Sequence, residues 1–178
     1  MSVGVIVLLL AAIALVNRGS SDSGLARHPH TQEGARQAAD DIVGLLGSEK
    51  MLTKQDRDEI LDDVYAPGTV DELRRSLDQA YTPGMFKRLG LDEDGAAPAG
   101  YTFVCRDVPL DETVTSYRGD TASVRVWSLG AIGLAGHHSP RPVTSSWYTK
   151  TLKLTWAAGR WRLLDSPQQT NGPAPKDQ

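Results

Sequence analysis

The stretch Ser145–Trp156, SSWYTKTLKLTW, decides the fold class. Trp147, Thr149, Thr151, Lys153 and Thr155 fall on one face, and Tyr148, Leu152, Leu154 and Trp156 lean to the other. A period of two belongs to a strand whose faces meet different surroundings. Ala158-Gly159 then turns the chain into Arg160–Leu164, RWRLL, which alternates again. Upstream, Tyr101–Cys105 (YTFVC) reads as a strand. Thr113–Tyr117 and Ala122–Leu129 flank Arg118-Gly119-Asp120, a tight hairpin turn with glycine where positive φ is needed.

Ahead of the Gly95–Gly100 linker (GAAPAG) the period is that of a helix. Thr31–Leu46 places Ala35, Ala38, Ala39, Ile42, Val43, Leu45 and Leu46 in one stripe, with Thr31 as N-cap. Thr53 and Asp56 open a second helix, whose Ile60, Leu61 and Val64 share a face, and Pro67-Gly68 ends it. Thr69-Val70-Asp71-Glu72 has the form of a capping box, followed at helical spacing by Leu73, Leu77 and Tyr81. Pro83-Gly84 stops or kinks that helix, and Met85–Leu91 adds a last turn. Helices first and antiparallel strands afterwards predict an α+β domain, with three helices packed on one face of a curved antiparallel sheet.

The chain has 178 residues, 40% hydrophobic and 23% charged, with 19 Lys+Arg against 22 Asp+Glu. That length suits one domain with appendages, and the balance excludes wholesale disorder. A net charge of -3 argues against direct nucleic-acid binding, which needs a dense basic face. Cys105 is the single cysteine, so neither an intrachain disulfide nor a cysteine-based zinc site exists.

Val3–Val16, VGVIVLLLAAIALV, carries no charge and is apolar on every side. A spanning helix needs about 20 such residues, whereas a secretory core needs only about 7–15. No Lys or Arg precedes this run, however, and Asn17 and Arg18 stand where a small-residue cleavage site belongs. The expectation is an N-terminal transmembrane anchor over residues 1–18; a cleaved signal segment and a buried helix are the competing readings. Arg18 and Arg27 cast a positive-inside vote for a cytoplasmic domain. Gly/Ser-rich residues 19–30 read as a flexible linker, 31–165 as the domain, and 166–178 (SPQQTNGPAPKDQ) as a disordered tail.

The order of elements, closing on Gly159-Arg160-Trp161-Arg162-Leu163, resembles the cone-shaped nuclear-transport-factor-2-like superfamily over roughly Thr31–Leu164. Two runs are also similar to a group of membrane-anchored proteins of high-GC Gram-positive bacteria. These are Tyr117-Arg118-Gly119-Asp120…Val124-Arg125-Val126-Trp127…Gly130 and Ser146-Trp147-Tyr148-Thr149-Lys150-Thr151…Leu154-Thr155-Trp156. The resemblance implies a bitopic assembly subunit of conjugative, type IV secretion-like machinery: one membrane helix and an extracytoplasmic cone-like domain at the cell membrane. The expected partners are the membrane and other proteins of the complex. A homo-oligomer is compatible with that role, and the reading implies no enzyme activity, cofactor or metal. The same cone also hosts enzymes, so fold leaves function open.

The alternative is a small-molecule-binding or isomerase-like domain working inside the cone. Asp107, Asp111 or Glu112 would be its general base, with Tyr101 or Tyr148 as hydroxyl partner. Cys105 has no histidine beside it and reads as a small buried hydrophobe. His137-His138, in GHHSPRP, point apart if extended and read as an exposed loop; His28 and His30 complete no ligand set with them. Trp127, Trp147, Tyr148, Trp156 and Trp161 are the candidate binding residues, lining a cavity or facing a protein, with core packing as their structural role.

Overall fold

A computed structural model describes residues 25–172; the expected anchor over 1–18 and the end of the tail lie outside the described residues. Among the described residues the domain is α+β, with four α-helices and a curled antiparallel half-barrel sheet. Among the described residues no helix is long and apolar enough to cross a membrane.

The first helix, α1 (Gln32–Leu46), starts where the Thr31 hydroxyl accepts the Gly34 N–H at 3.0 Å. Its stripe is buried as its spacing requires: Ala35, Ala38, Ala39, Ile42 and Val43 all face the core. A 3-10 turn, Glu49–Leu52, leads to α2 (Lys54–Val64), which buries Ile60, Leu61 and Val64. The third helix, α3 (Val70–Ala80), is amphipathic, with Val70, Leu73 and Leu77 packed against the same core. Its expected capping box is absent: Thr69 makes no side-chain cap bond and instead donates its hydroxyl to the Ala66 carbonyl at 2.8 Å. The αR backbone of Thr69 turns the hydroxyl back towards the preceding turn. Pro83 neither extends nor kinks α3. It occupies the first turn of a separate α4 (Pro83–Leu89), where its missing N–H costs nothing and Thr82 caps the Met85 N–H.

The sheet runs β1 (Thr102–Tyr117), β2 (Thr121–Ala135), β3 (Thr144–Ala157) and β4 (Arg160–Leu163) in that order, all antiparallel. The hairpin forms as predicted, with Tyr117 opposite Ala122 and Gly119 at φ +64. Strand β1 is longer than its side-chain pattern suggests. Register shifts near Leu110 and Thr115 absorb the irregular stretch that contains Pro109, which an edge strand tolerates.

Two expectations are corrected at the ends of the domain. Gln168–Asn171, placed in a disordered tail by composition, forms β5 along the edge of β3, from Asn171 opposite Tyr148 to Gln168 opposite Thr151. An unpaired strand edge recruits backbone regardless of side-chain hydrophobicity, so composition does not reveal it. Leu25–His30, placed in the flexible linker, is instead seated on the domain, with Leu25 only 4% exposed within the main core.

That core joins α1 and α2 to Val124, Val126, Leu152, Leu154 and Trp161 on the concave sheet face. A second, smaller cluster of Phe86, Leu91 and Leu134, with Tyr81 and Phe103 against it, closes the other end. Leu152 is fully enclosed in the main core. Leu152→Ala is expected to cost about 2–5 kcal/mol through lost burial and the cavity left behind. Urea unfolding of the full chain would measure it, and a loss below about 0.5 kcal/mol would contradict this packing.

Candidate functional site

The five candidate residues occupy three separate places. Trp127 and Trp147 lie diagonally across β2 and β3, with Trp127 opposite Thr149 and Leu129 opposite Trp147. Their rings stack at 5.0 Å and 19°. Val126 beside Trp127 is buried under α1, so strand alternation puts the two indoles on the face turned away from the helices. Both are half-buried there.

Trp156 and Trp161 belong to the inner face. Trp161 is 1% exposed, and its indole N–H donates to the Pro29 carbonyl at 3.1 Å. Trp156 meets it edge-on at 5.5 Å and stacks on His30 at 4.3 Å. This pair is core packing with its polar handle satisfied.

Tyr148 sits between the two cores. Its hydroxyl donates to the Asp107 carboxylate, whose other oxygen accepts from Lys150 Nζ at 2.5 Å. Asp107 and Lys150 are 15% and 13% exposed. Two glycines make room for this cluster. A Cβ on Gly47, just after α1, would overlap the Asp107 carboxyl, and one on Gly130, opposite Asp107, would strike the Tyr148 ring. Burial, reinforced by the adjacent carboxylate, pushes the Tyr148 hydroxyl far above the ordinary tyrosine range. The Cys105 thiol nearby is pushed up to about 11, mainly by burial and then by the charge of Asp107. A thiol held that high is a packing group at neutral pH.

A further polar group links α1 to β1. Arg36 pairs with Glu33 at 2.7 Å and with Glu112, which is 11% exposed. Asp40, one turn along α1, shares a hydrogen bond with Glu112. Its carboxyl is raised to about 6, first by burial and then by Glu112 and Asp41. Gln32, Glu33, Arg36, Glu112, Thr113 and Val114 line an open depression of about 430 Å³ above this group.

Sequence reasoning named Asp107 and Tyr148 but missed Lys150. The available signal was spacing, because Tyr148 and Lys150 are two apart on a strand and share a face. Arg36 and Asp40 were also missed, although four residues apart on a helix they too share a face. Glu112 is tied to Arg36, whereas Asp111 is exposed and pairs with Trp127 across the sheet. Tyr101 reaches towards the His138 carbonyl at 3.5 Å rather than towards a carboxylate. His137 and His138 lie exposed in the turn between β2 and β3, and no group of three metal-ligating side chains occurs among the described residues.

No family model and no curated protein matches the chain. Among solved structures, it is similar to the intermembrane-space region of the chloroplast protein ARC6, at 17% identity and a TM-score of 0.43. The match covers 76% of this chain and 95% of that one. A likeness this distant assigns neither family nor function.

Two consequences are measurable. Alkylation of Cys105 at pH 8 is expected to run about a hundredfold slower in the folded than in the urea-unfolded chain, following its raised pKa. Equal rates would refute the half-buried thiol geometry. The Asp40 carboxyl binds its proton more tightly folded than unfolded, so the stability it contributes is full below pH about 4 and fades as pH rises through about 6. Denaturation midpoints across that window should show this fall in the wild type. In Asp40→Asn the fall should shrink, and an identical slope in both proteins would remove Asp40 as its source.

Proposed function

We propose that this chain is a single-pass, membrane-anchored assembly protein of a conjugative DNA-transfer or secretion apparatus, with its domain on the extracytoplasmic side. In this reading the domain is a cone of the nuclear-transport-factor-2-like superfamily, and residues 1–18 are the membrane helix. It acts by binding other proteins of the complex, without catalysis.

The stacked Trp127–Trp147 pair on the outer sheet face carries the reading. Half-buried tryptophans beside an arginine, here Arg125 on the same face of β2, are the residue types that dominate protein-docking energetics. The seated Leu25 supports a tether as well. Only eight residues, Asn17–Gly24, separate the apolar run from the domain, a reach of at most about 28 Å. Such confinement raises the effective concentration of the domain near membrane partners. The isomerase-like alternative draws less support, because its candidate base, Asp107, is held by both Lys150 and Tyr148.

Protease treatment of intact, wall-stripped cells should remove a C-terminal tag; protection until lysis would overturn the extracytoplasmic placement. Detergent co-purification should then recover membrane-complex proteins with the wild type. The pair Trp127→Ala and Trp147→Ala should lose them at least about tenfold, the scale of one strong docking residue, with folding retained by circular dichroism. Undiminished recovery would remove the outer face as the docking surface.

A further inference from the structure

One ion pair on the inner sheet face is enclosed far more than the other lysine–aspartate pairs. Lys150 stands opposite Val126 and Asp107 opposite Gly130, so the lysine chain reaches along the sheet and over β2 to the carboxyl of a strand that is not its neighbour. Lys54 and Lys153 also pair with aspartates, but both of those lysines are at least half exposed. Lys150 and Asp107 are 13% and 15% exposed, with amine nitrogen and carboxyl oxygen 2.5 Å apart. The second oxygen of Asp107 accepts the Tyr148 hydroxyl proton, and the Lys150 amine lies 5.1 Å from the centre of the Tyr148 ring. A Cβ on Gly47 would overlap the Asp107 carboxyl and one on Gly130 the Tyr148 ring, so backbone closes over both groups.

We propose that Lys150 and Asp107 condense into an isopeptide bond, a covalent cross-link from β1 to β3. The reaction needs a neutral amine, a protonated carboxyl and a site with little water. In bulk water both groups stay charged and hydrated. Enclosure removes that hydration, and passing the ammonium proton to the carboxylate across their hydrogen bond cancels both charges at once. An N···O separation of 2.5 Å leaves the amine roughly 3–3.5 Å from the carboxyl carbon, the spacing at which held groups react. The lone pair of Nζ then forms the N–C bond. Tyr148 donates to the oxygen that stays, Oδ1, and stabilises the negative charge that gathers there. Nζ gives a second proton to Oδ2, the C–Oδ2 bond breaks, and one water departs. Nothing is oxidised or reduced, and no co-reactant enters. The link closes residues 107–150 into one covalent ring that contains β2, so β1 and β3 stay joined when the sheet opens. It rests neither on the proposed membrane anchor nor on the proposed docking face.

The test is mass spectrometry of the full chain after denaturation and digestion with trypsin. Trypsin does not cut at an acylated lysine, so the link yields one branched product, residues 107–118 joined to 126–153, one water lighter than those two peptides together. This product should replace the unlinked peptide 107–118 in most molecules of the wild type. Lys150→Arg keeps a cation beside Asp107 without a nucleophilic amine, and should give unlinked peptides only. In protein freshly made by cell-free translation, Tyr148→Phe should form the link about a hundredfold more slowly than the wild type. Wild-type protein that still gives only separate peptides after days at neutral pH, or a link to Asp107 that survives in Lys150→Arg, would overturn the proposal. Equal rates with and without the tyrosine hydroxyl would remove Tyr148 from the reaction.

Discussion

Helix α1 and the concave sheet approach each other through residues with almost no side chain. Ala35, Ala38 and Ala39 let the helix axis settle close to Val124, Val126, Leu152 and Leu154, and Ile42 and Val43 then fill the space towards its end. The sheet is curled around α1; α2 packs beside it and against β4, α3 packs on α2, and α4 covers the far end. Apolar burial is proportional to area and indifferent to direction. The small residues therefore decide how near the layers come, and the larger ones how much surface leaves water.

That close approach creates a second problem between the two cores. Strands long enough to line both must carry backbone and side chains through a region no helix covers fully. The domain fills it with polar groups that pair with one another. Asp107, Tyr148 and Lys150 close on themselves beneath Gly47, and Arg57 on α2 donates to the Met51 carbonyl and to Asp78, tying the 3-10 turn to α3. A buried charge left alone would cost several kcal/mol, and each of these charges is paired: Lys150 with Asp107 and Arg57 with Asp78. Their chemistry resembles a catalytic constellation, yet their hydrogen bonds are spent inside the protein. On the outer sheet face the Trp127 and Trp147 rings stack on each other, half-buried.

Much of this was legible beforehand. The stripe Ala35–Leu46 announced α1 and its cap, and the alternation Trp147–Trp156 sorted Tyr148, Leu152 and Leu154 from Trp147 and Thr149. Side-chain periodicity reports which face of an element is buried, and these segments have one buried face each. The failures share a cause. Strand β5, the Trp161 bond to the Pro29 carbonyl and the Thr69 hydroxyl bond each use a backbone group, and a backbone N–H or carbonyl has no letter in a sequence. Alternation already put Trp147 and Trp156 on opposite faces, but that Trp127 joins the first and Trp161 the second depends on cross-strand register.

By itself, then, the sequence determined the class of the domain, the order of its elements and the inward side of its principal strands, since these follow from local spacing and the transfer of apolar groups from water. Tertiary structure alone decided that Asp107 meets Lys150, that Asp40 shares a proton-bearing contact with Glu112, and that His28 and His30 lie against Asp41 and Asp120. Each of those contacts joins residues from different elements or from opposite ends of one ladder. Which charges meet depends on the register and curl of the sheet, and these are properties of the assembled layers rather than of any single segment.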